Sequence, residues 1–439
     1  MGLTISFVSL LICFIIAILS VVRTTFMSPL SIYCIFNAIC LLYYYLVAGI
    51  NYVPKVVLSV MPLYGIAPYI VPTSLFYMFL CVIAVPVIYS VPKVTMSDFI
   101  SISAKFRIFL STSAILLFLL MLAVLTVVHI ADFNLSYLWN YHGYHTINDV
   151  KTVGIDNPLA SLYHRIGPSL AAFCACIAVI CYHTGRKFLV LPALILSAYG
   201  LILVVASSSR EIALFFVLPG LTYYLFNKKL NLIFILFMVL GALGVLFAVG
   251  TRGLQSALGI GSFFVNLATI RWESLGETFL SLMSNVAQGA VDFAHAYRIQ
   301  PKYPFEYKFV SLLSPFPSSI DNYQEIAESY EIRIAPPNPI STLAEAYFFG
   351  FGYLALLLAA VLWLMRAGTL QMFQRASVLT LPIYGFTILL IYRIHHYPAR
   401  ISQRIILMIL ILYGVEFLIS WMRRIGRRTP GRAIRKPLV

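Results

Sequence analysis

Residues 251–280 read TRGLQSALGIGSFFVNLATIRWESLGETFL, and residues 311–352 read SLLSPFPSSIDNYQEIAESYEIRIAPPNPISTLAEAYFFGFG. The two stretches open and close a polar segment, 251–344, that interrupts an otherwise apolar chain. The runs on either side are long enough to cross a bilayer, which takes about 20 apolar residues of helix. The polar segment is therefore the part of the chain with enough polar surface to build a chemical site.

The composition indicates the class of protein. Of 439 residues, 61% are hydrophobic and 10% are charged, so a soluble domain could not cover itself with polar groups. Backbone groups in lipid must be satisfied internally, which favours helices, and the short alternating strands of a membrane barrel do not occur in this sequence. We predict an all-α, polytopic integral membrane protein.

The apolar runs predict eleven transmembrane helices and one large loop. The predicted helices cover 3–22, 29–48, 69–89, 108–128, 168–182, 188–206, 212–226, 230–248, 346–365, 378–392 and 405–421. The first eight lie within 1–250, with an external loop at about 130–167. The large loop is 251–344, the last three helices lie within 345–421, and a basic tail covers 422–439.

The distribution of Lys and Arg predicts the orientation, because basic residues are retained on the cytoplasmic side. The tail carries Arg423, Arg424, Arg427, Arg428, Arg432, Arg435 and Lys436. We therefore predict a cytoplasmic C-terminus, an external N-terminus and an external 251–344 segment. The tail is explained as a topology signal and a contact for anionic lipid, and we expect no nucleic-acid partner.

The seven cysteines all lie in apolar runs, so the sequence predicts neither a disulfide framework nor a zinc site. We expect no metal and no cofactor.

Aromatic residues in the external loops are candidates for sugar binding, since aromatic rings stack on the apolar face of a sugar ring. Trp139 and Tyr141 lie in the 130–167 loop, and Trp272 and Tyr297 lie in the large loop. The alternative for the first pair is an aromatic belt at the membrane interface.

Arginines near the external ends of the predicted helices are candidates for binding a diphosphate, because guanidinium groups bind phosphate oxygens bidentately. They are Arg165, Arg210, Arg252, Arg271 and Arg400. His164 and Arg165 open a predicted span, where snorkelling to the interface explains them equally well. Arg400 belongs to a basic group between the last two spans that could equally be solvated interfacial charge.

The arrangement resembles the bacterial O-antigen polymerase and ligase group of membrane glycosyltransferases. The elements that carry the resemblance are a Ser-Ser-Arg turn (208–210), arginines after the next helix, the large loop, and Glu345, Gly350 and Gly352 before the following span. The resemblance implies a GT-C-like architecture in the bacterial inner membrane. It implies undecaprenyl-diphosphate-linked oligosaccharides as substrates, and a flippase and a chain-length regulator of the same pathway as partners.

The implied reaction is repeat-unit polymerisation on the periplasmic face. The hydroxyl of an acceptor sugar attacks the anomeric carbon of the donor glycan, and the lipid diphosphate leaves. Arginines would stabilise the leaving group without a metal, and a carboxylate or imidazole must take the hydroxyl proton. Candidates for this base are His295, Glu277, Asp292 and Glu345. The alternatives are a solvated helix face for Glu277 and a polar residue at the entrance of its own helix for Glu345.

Within the large loop, the pattern predicts a helix at 271–282 along the interface and a second at 324–333. Pro301, Pro304, Pro315 and Pro317 break regular structure between them. We expect a packed cap over a membrane cavity. Two other functions stay open: a ligase that transfers the same donor to a lipid A core, and a flippase for lipid-linked oligosaccharides.

Overall fold

The computed structural model of the protein describes residues 2–49, 66–94, 112–139, 141–142, 153–207, 209–227, 231–254, 257–269, 283, 287–316, 321–331, 333–335, 338–374 and 380–428. The helices are α1 (Gly2–Thr24), α2 (Pro29–Tyr44), α3 (Ile70–Val82), α4 (Ala84–Ser90), α5 (Thr112–Asp132), α6 (Ser136–Trp139), α7 (Pro158–His183), α8 (Val190–Ala206), α9 (Leu214–Asn227), α10 (Leu232–Leu254), α11 (Ile260–Thr269), α12 (Gly289–Ile299), α13 (Phe305–Leu312), α14 (Tyr323–Tyr330), α15 (Thr342–Phe349), α16 (Phe351–Gln374), α17 (Thr380–His396) and α18 (Ala399–Arg428). Two minimal antiparallel strand pairs accompany them, β1 (Tyr141–His142) with β2 (Ala257–Leu258) and β3 (Arg333–Ala335) with β4 (Asn338–Pro339).

Eight helical stretches are long and apolar enough to cross a membrane, which confirms the helical, membrane-spanning class. They are Gly2–Thr24, Pro29–Ala48, Ala67–Ser90, Ile115–Asp132, Ile166–His183, Lys187–Ala206, Phe351–Gln371 and Ala399–Leu418. The other three predicted spans coincide with α9, which has 14 residues, with α17, which has 17, and with α10, a 23-residue helix whose described apolar part is Leu232–Val245. The count of eleven spans stays a prediction.

Helix α1 shows how these helices are suited to lipid. Most residues of its buried face are small, including Ser6, Ser9 and Ser20, whereas Phe7 and Val22 on the outer face are 54% and 65% exposed. Membrane helices pack through small residues and turn large apolar side chains to the lipid, the reverse of a soluble helix. The outer face of α1 is therefore suited to hydrocarbon.

The chain forms two compact units. Unit 1 comprises Met1–Val53, Val60–Phe99 and Val286–Val439, and unit 2 comprises Pro54–Ser59 and Ile100–Asn285. The polar segment 251–344 is thus divided, with its first part in unit 2 and its remainder in unit 1. The domains predicted from the sequence are consecutive stretches of the chain. Unit 1 instead combines helices from the N-terminal and C-terminal parts of the chain, since α2 contacts α1 and α3 as well as α16 and α17.

Two helices begin well before the spans predicted for them. Helix α7 begins at Pro158, ten residues before the predicted span, because the Asn157 side chain accepts a hydrogen bond from the Leu159 amide at 2.9 Å and caps the helix. His164 and Arg165 therefore lie inside α7. Helix α18 begins at Ala399 and includes Arg400, so this arginine is helical as well.

The ninth predicted span, 346–365, is interrupted. Helix α15 ends at Phe349, and Gly350 has φ +116°, a backbone conformation that L side chains rarely adopt. Helix α16 then begins at Phe351. Glu345 therefore lies in a short separate helix that precedes the span.

In unit 2, α7 and α8 pack closely at Gly200. A Cβ added to Gly200 would lie 2.2 Å from the Cβ of Ala171 on α7, a separation that real Cβ atoms do not adopt. We expect Gly200→Ala to lower the free energy of unfolding by about 1–3 kcal/mol through overpacking, although alanine favours a helix by about 1 kcal/mol. Thermal unfolding of the detergent-purified protein measures this loss.

The matched control transfers the methyl group of residue 171 on α7 to residue 200 on α8. The double variant Gly200→Ala with Ala171→Gly keeps the number of methyl groups and should recover most of the lost stability. A melting temperature of Gly200→Ala equal to that of wild type would contradict the close packing of α7 and α8.

Candidate functional site

The predicted site residues fall in both units. Unit 1 contains Asp292, His295, Tyr297, Glu345 and Arg400, and unit 2 contains Trp139, Tyr141, Arg165, Arg210 and Arg252. Arg271, Trp272, Glu277 and the predicted helix at 271–282 lie outside the described residues. The two sets are described separately.

Helix α12 carries two candidate bases and is enclosed within unit 1. All residues from Gly289 to Ala296 are buried, including Asp292 and His295, and α12 contacts α2, α3, α15 and α17. This enclosure follows from the composition of α12, because a helix that is small or apolar on every side is stable only when surrounded by protein. The packed cap over a membrane cavity stays a prediction.

The beginning of α12 touches two spans at close range. A Cβ on Gly289 would lie 2.8 Å from the Tyr77 hydroxyl and 2.9 Å from the His395 ring, so only glycine fits. Tyr77 and His395 are themselves hydrogen-bonded, with 3.1 Å between the hydroxyl and Nδ1. The Asp292 carboxyl, one turn further on, accepts hydrogen bonds of 3.2 and 3.3 Å from the Gln288 amide.

Tyr297 lies at the rim of an aromatic cluster at the other end of α12. Its ring centroid is 5.8 Å from that of Tyr69 and 6.2 Å from that of Tyr347. The side chain is half-buried. These contacts explain Tyr297 as packing, and its role in binding a sugar stays a prediction.

Glu345 is buried between two donors. Its Oε1 accepts a hydrogen bond from the Tyr307 hydroxyl at 2.7 Å, and its Oε2 accepts one from the Ala399 amide at 2.6 Å. Ala399 is the first residue of α18, so the carboxyl caps the N-terminus of that helix, where the helix dipole favours negative charge. Glu345 thus caps α18, not α15, the helix in which it lies.

The surroundings of Glu345 change its protonation. Burial raises the pKa of the Glu345 carboxyl to about 7; the hydrogen bonds from Ala399 and Tyr307 oppose this shift, and nearby Glu331 adds to it. Burial and the charge of Glu345 raise the pKa of the Tyr307 hydroxyl in turn. A carboxyl that titrates near neutral pH has the pKa of a general base, but both of its oxygens are engaged by the protein here.

Arg400 fastens a loop to the start of α18. Its Nη1 donates hydrogen bonds to the carbonyl oxygens of Val310 and Ser314, and its Nη2 donates to the carbonyl of Phe316 and the carboxylate of Asp321. The side chain is 2% exposed. All four Nη hydrogens are used inside the protein, so this geometry makes Arg400 a structural clamp and opposes its predicted role as a diphosphate ligand.

In unit 2, three predicted arginine positions lie at one end of the helices. Residues of α7, α8, α9 and α10 meet in one core cluster, which includes Ala171, Val204, Ile212 and Ala248. Relative to this cluster, Arg165 lies toward the N-terminus of α7, Arg210 follows the C-terminus of α8, and Arg252 lies one turn further toward the C-terminus of α10. Because neighbouring helices are antiparallel, the N-terminus of α7 and the C-termini of α8 and α10 lie at the same end of the helices.

Ser209 and Arg210 of the Ser-Ser-Arg pattern lie in a short turn, whereas Ser208 lies outside the described residues. The Ser209 side chain accepts a hydrogen bond from the Glu211 amide at 3.3 Å and caps a 3₁₀ turn, Arg210–Ala213, between α8 and α9. Burial raises the pKa of the Glu211 carboxyl, and the Ser169 side chain, one turn after Arg165 on α7, opposes this shift.

The aromatic candidates of unit 2 lie on one small substructure. Trp139 ends α6 and is 65% exposed, and Tyr141 in β1 pairs with Leu258 in β2. Sugar binding and an interfacial belt both remain consistent with an exposed Trp139. Within the described ranges, no group of three or more His, Cys, Asp or Glu side chains is placed to hold a metal ion, and metal-independent chemistry stays a prediction.

The sequence interpretation missed three groups that the structure makes prominent. Tyr307 and Asp321 anchor Glu345 and Arg400, and neither stands out in the sequence because their partners lie 38 and 79 residues away. His129 did carry a signal, since an ionisable residue inside an apolar span marks a special position.

The fold defines the class: a multi-pass membrane protein built of apolar helices, with polar groups buried in unit 1 and arginine positions at one end of unit 2. No family model, no curated protein and no solved structure matches the chain.

Proposed function

We propose that the protein is a metal-independent membrane glycosyltransferase of the O-antigen polymerase type. It transfers a growing glycan from undecaprenyl diphosphate to the terminal sugar of a second lipid-linked repeat unit. One observation carries the proposal: the positions of Arg165, Arg210 and Arg252 lie at a single end of the unit 2 helices. Several guanidinium groups at the end of a membrane bundle suit a lipid diphosphate, which presents its charge at that depth.

The arginines act on the leaving group. As the bond between the anomeric carbon and the diphosphate breaks, negative charge accumulates on the phosphate oxygens. Fixed positive groups stabilise this charge more in the transition state than in the bound substrate, and this difference accelerates the reaction. The proposal places the enzyme in a bacterial inner membrane with this end on the periplasmic side, where a flippase supplies the substrate and a chain-length regulator is a partner.

The proposal is tested with purified components. Wild-type protein in detergent, incubated with synthetic undecaprenyl-diphosphate repeat units and EDTA, should produce a ladder of longer lipid-linked chains on a gel. Arg210→Ala should slow the formation of the ladder by about 100-fold or more, the usual cost of one lost transition-state donor. Arg210→Lys keeps the charge without the planar fork and should fall between the two.

The matched control is Arg186→Ala, which removes an arginine at the opposite end of α7 and α8 and should polymerise like wild type. Equal activity of Arg210→Ala and wild type would overturn the role of the arginines. A wild-type protein that makes no ladder but glycosylates an added lipid A core would be a ligase.

A second function, transport of the lipid-linked oligosaccharide, is favoured by one observation. Asp292 is wholly buried in a helix that contacts α2, α3 and α17, and buried acids among membrane helices mark transport pathways in many proteins. Passage of the lipid across proteoliposomes, with no ladder in any assay, would establish transport in place of transfer.

A further inference from the structure

A groove on the surface of unit 1 runs between α1 and α4. One wall is formed by Ile16, Leu19 and Val22 of α1, and the other by Val85 and Ile88 of α4. Its volume is about 180 Å³, which is room for a segment of one acyl chain. Leu19 and Val22 are exposed, as large apolar side chains are where a membrane helix faces hydrocarbon. The α1–α4 groove is therefore an apolar surface open to lipid.

The α1–α4 groove ends at basic side chains. Arg23, the last residue but one of α1, and Lys93, three residues after α4, line the same groove as the apolar walls. The Arg23 guanidinium lies 4.7 Å from the centroid of the Tyr89 ring, which is 57% exposed. A tyrosine and two cations at the end of an apolar surface are typical of the depth at which lipid headgroups lie.

Hydrogen bonds fix Arg23 against the end of α4. Its Nε donates to the carbonyl of Ile88 at 3.0 Å, and its Nη2 donates to the carbonyl of Tyr89 at 3.1 Å. The C-terminus of a helix favours a cation, so this position stabilises the guanidinium. The Arg23 carbonyl accepts a hydrogen bond from the Val94 amide at 3.0 Å, which holds the segment containing Lys93 beside α1.

A third cation reaches this end from α16. The Nε of Arg366 donates a hydrogen bond at 2.9 Å to the hydroxyl of Ser90, the last residue of α4. Three cations from separate segments of unit 1 thus converge on residues 88–94. In the described part of the chain, no carboxylate forms an ion pair with Arg23, Lys93 or Arg366. Nη1 of Arg23 and both Nη atoms of Arg366 also have no acceptor there.

This combination of charge and groove indicates the chemistry of a ligand. Three cations side by side repel one another, and an anion bound between them removes this repulsion. Guanidinium and ammonium groups bind phosphate oxygens, so the basic group is complementary to a phosphate. The apolar groove that continues from it is complementary to a hydrocarbon chain. A phospholipid carries both parts in one molecule.

We propose that Arg23, Lys93 and Arg366 bind the phosphate of an anionic phospholipid, one of whose acyl chains lies in the α1–α4 groove. The site is at the end of these helices that the Lys and Arg distribution predicts to be cytoplasmic. It goes beyond the proposed glycosyltransferase function, because it uses none of the arginines assigned to the diphosphate. A topology signal needs only basic residues in a loop, whereas here three segments bring them to the end of one groove.

The test is native mass spectrometry of the delipidated, detergent-purified protein titrated with phosphatidylglycerol. Lys93→Gln and Arg366→Gln should each weaken its binding by about fivefold, the usual contribution of one basic residue near an anionic membrane surface. Phosphatidylcholine, with the same phosphate and chains but no net charge, should bind about tenfold more weakly. The control is Lys187→Gln, which removes an exposed lysine of unit 2 and should bind phosphatidylglycerol like wild type.

Leu19→Trp tests the groove without changing the charge. The indole ring fills the α1–α4 groove from an exposed position and should also weaken binding of phosphatidylglycerol, while the melting temperature stays that of wild type. Glycerol 3-phosphate, a headgroup without chains, should not displace the lipid.

Three results would overturn the proposal. The first is equal affinity of wild type, Lys93→Gln and Arg366→Gln for phosphatidylglycerol. The second is equally tight binding of phosphatidylcholine by wild type. The third is displacement by glycerol 3-phosphate with no effect of Leu19→Trp, which would assign the basic group to a free phosphate instead of a lipid.

Discussion

Arg400→Ala is expected to be among the most destabilising single substitutions in this protein, at about 3–5 kcal/mol. The substitution removes four hydrogen bonds and leaves the Asp321 carboxylate buried without its cation. It also removes the donor of the Val310 and Phe316 carbonyls, whereas the Ser314 carbonyl keeps its hydrogen bond from Gln403. An unsatisfied buried polar group costs about 1–3 kcal/mol, so the loop between α13 and α14 should be held to α18 less firmly.

The measurement is thermal unfolding in detergent, with Arg404→Ala as the control. Arg404 is one turn further along α18 and exposed, so its loss should have little effect. The double variant Arg400→Met with Asp321→Leu removes both charges and should be more stable than Arg400→Ala, because no unpaired charge remains. An Arg400→Ala protein that melts like wild type but binds lipid diphosphate less tightly would restore the role of a diphosphate ligand.

The second large effect is a pH dependence of stability that originates at Glu345. The carboxyl has a pKa of about 7 in the folded protein against an ordinary value of 4.5, so the folded state binds a proton more tightly than the unfolded state. Its favourable contribution is complete below about pH 4.5 and is lost as the pH rises through about 7. A shift of this size corresponds to about 3 kcal/mol.

Glu345→Gln should remove this dependence, because an amide cannot ionise but still occupies the space between Tyr307 and Ala399. Melting temperatures measured from pH 4.5 to 8 should therefore fall more steeply for wild type than for Glu345→Gln. Glu306→Gln on the exposed side of α13 is the control and should follow wild type. Parallel plots of melting temperature against pH for wild type and Glu345→Gln would show that the Glu345 carboxyl does not cause the pH dependence of stability.

The membrane helices were largely predictable because their signal is local. Length and continuous apolarity identified the core of each long helix, but hydropathy does not detect where a helix continues through polar residues. Helix α7 begins before Arg165 and α18 before Arg400 for this reason, and capping by Asn157 is what sets the first of these boundaries.

The buried position of α12 was not predicted, although its composition suggests it. The run Gly-Ala-Val-Asp-Phe-Ala-His-Ala is small or apolar on every side, apart from the two candidate bases. The segment was interpreted from the polar stretches around it, whereas its contacts with α2 and α3 are made with residues more than two hundred positions earlier. Such contacts leave no periodic trace in the sequence.

The candidate site also has a part that the sequence predicts and a part that it does not. The coincidence of Arg165, Arg210 and Arg252 follows from antiparallel helices and can be anticipated by counting spans. The pairing of His129 with His164 joins residues 35 positions apart on two helices and depends on how these helices rotate against each other. Side-chain facing of this kind is set by packing and cannot be derived from spacing alone.

The contacts of α12 also constrain how the protein is made. Unit 1 joins Tyr77 to His395 across 318 positions and Met27 to Tyr384 across 357 positions. The first helices therefore leave the ribosome long before their partners exist, while every residue of 100–285 is synthesised in the interval. Unit 2 can assemble during translation, but α12 has no complete place to dock until α17 has been inserted. A nascent chain arrested before residue 380 should hold an assembled unit 2 and an open unit 1, with the α12 segment exposed to proteases and membrane chaperones.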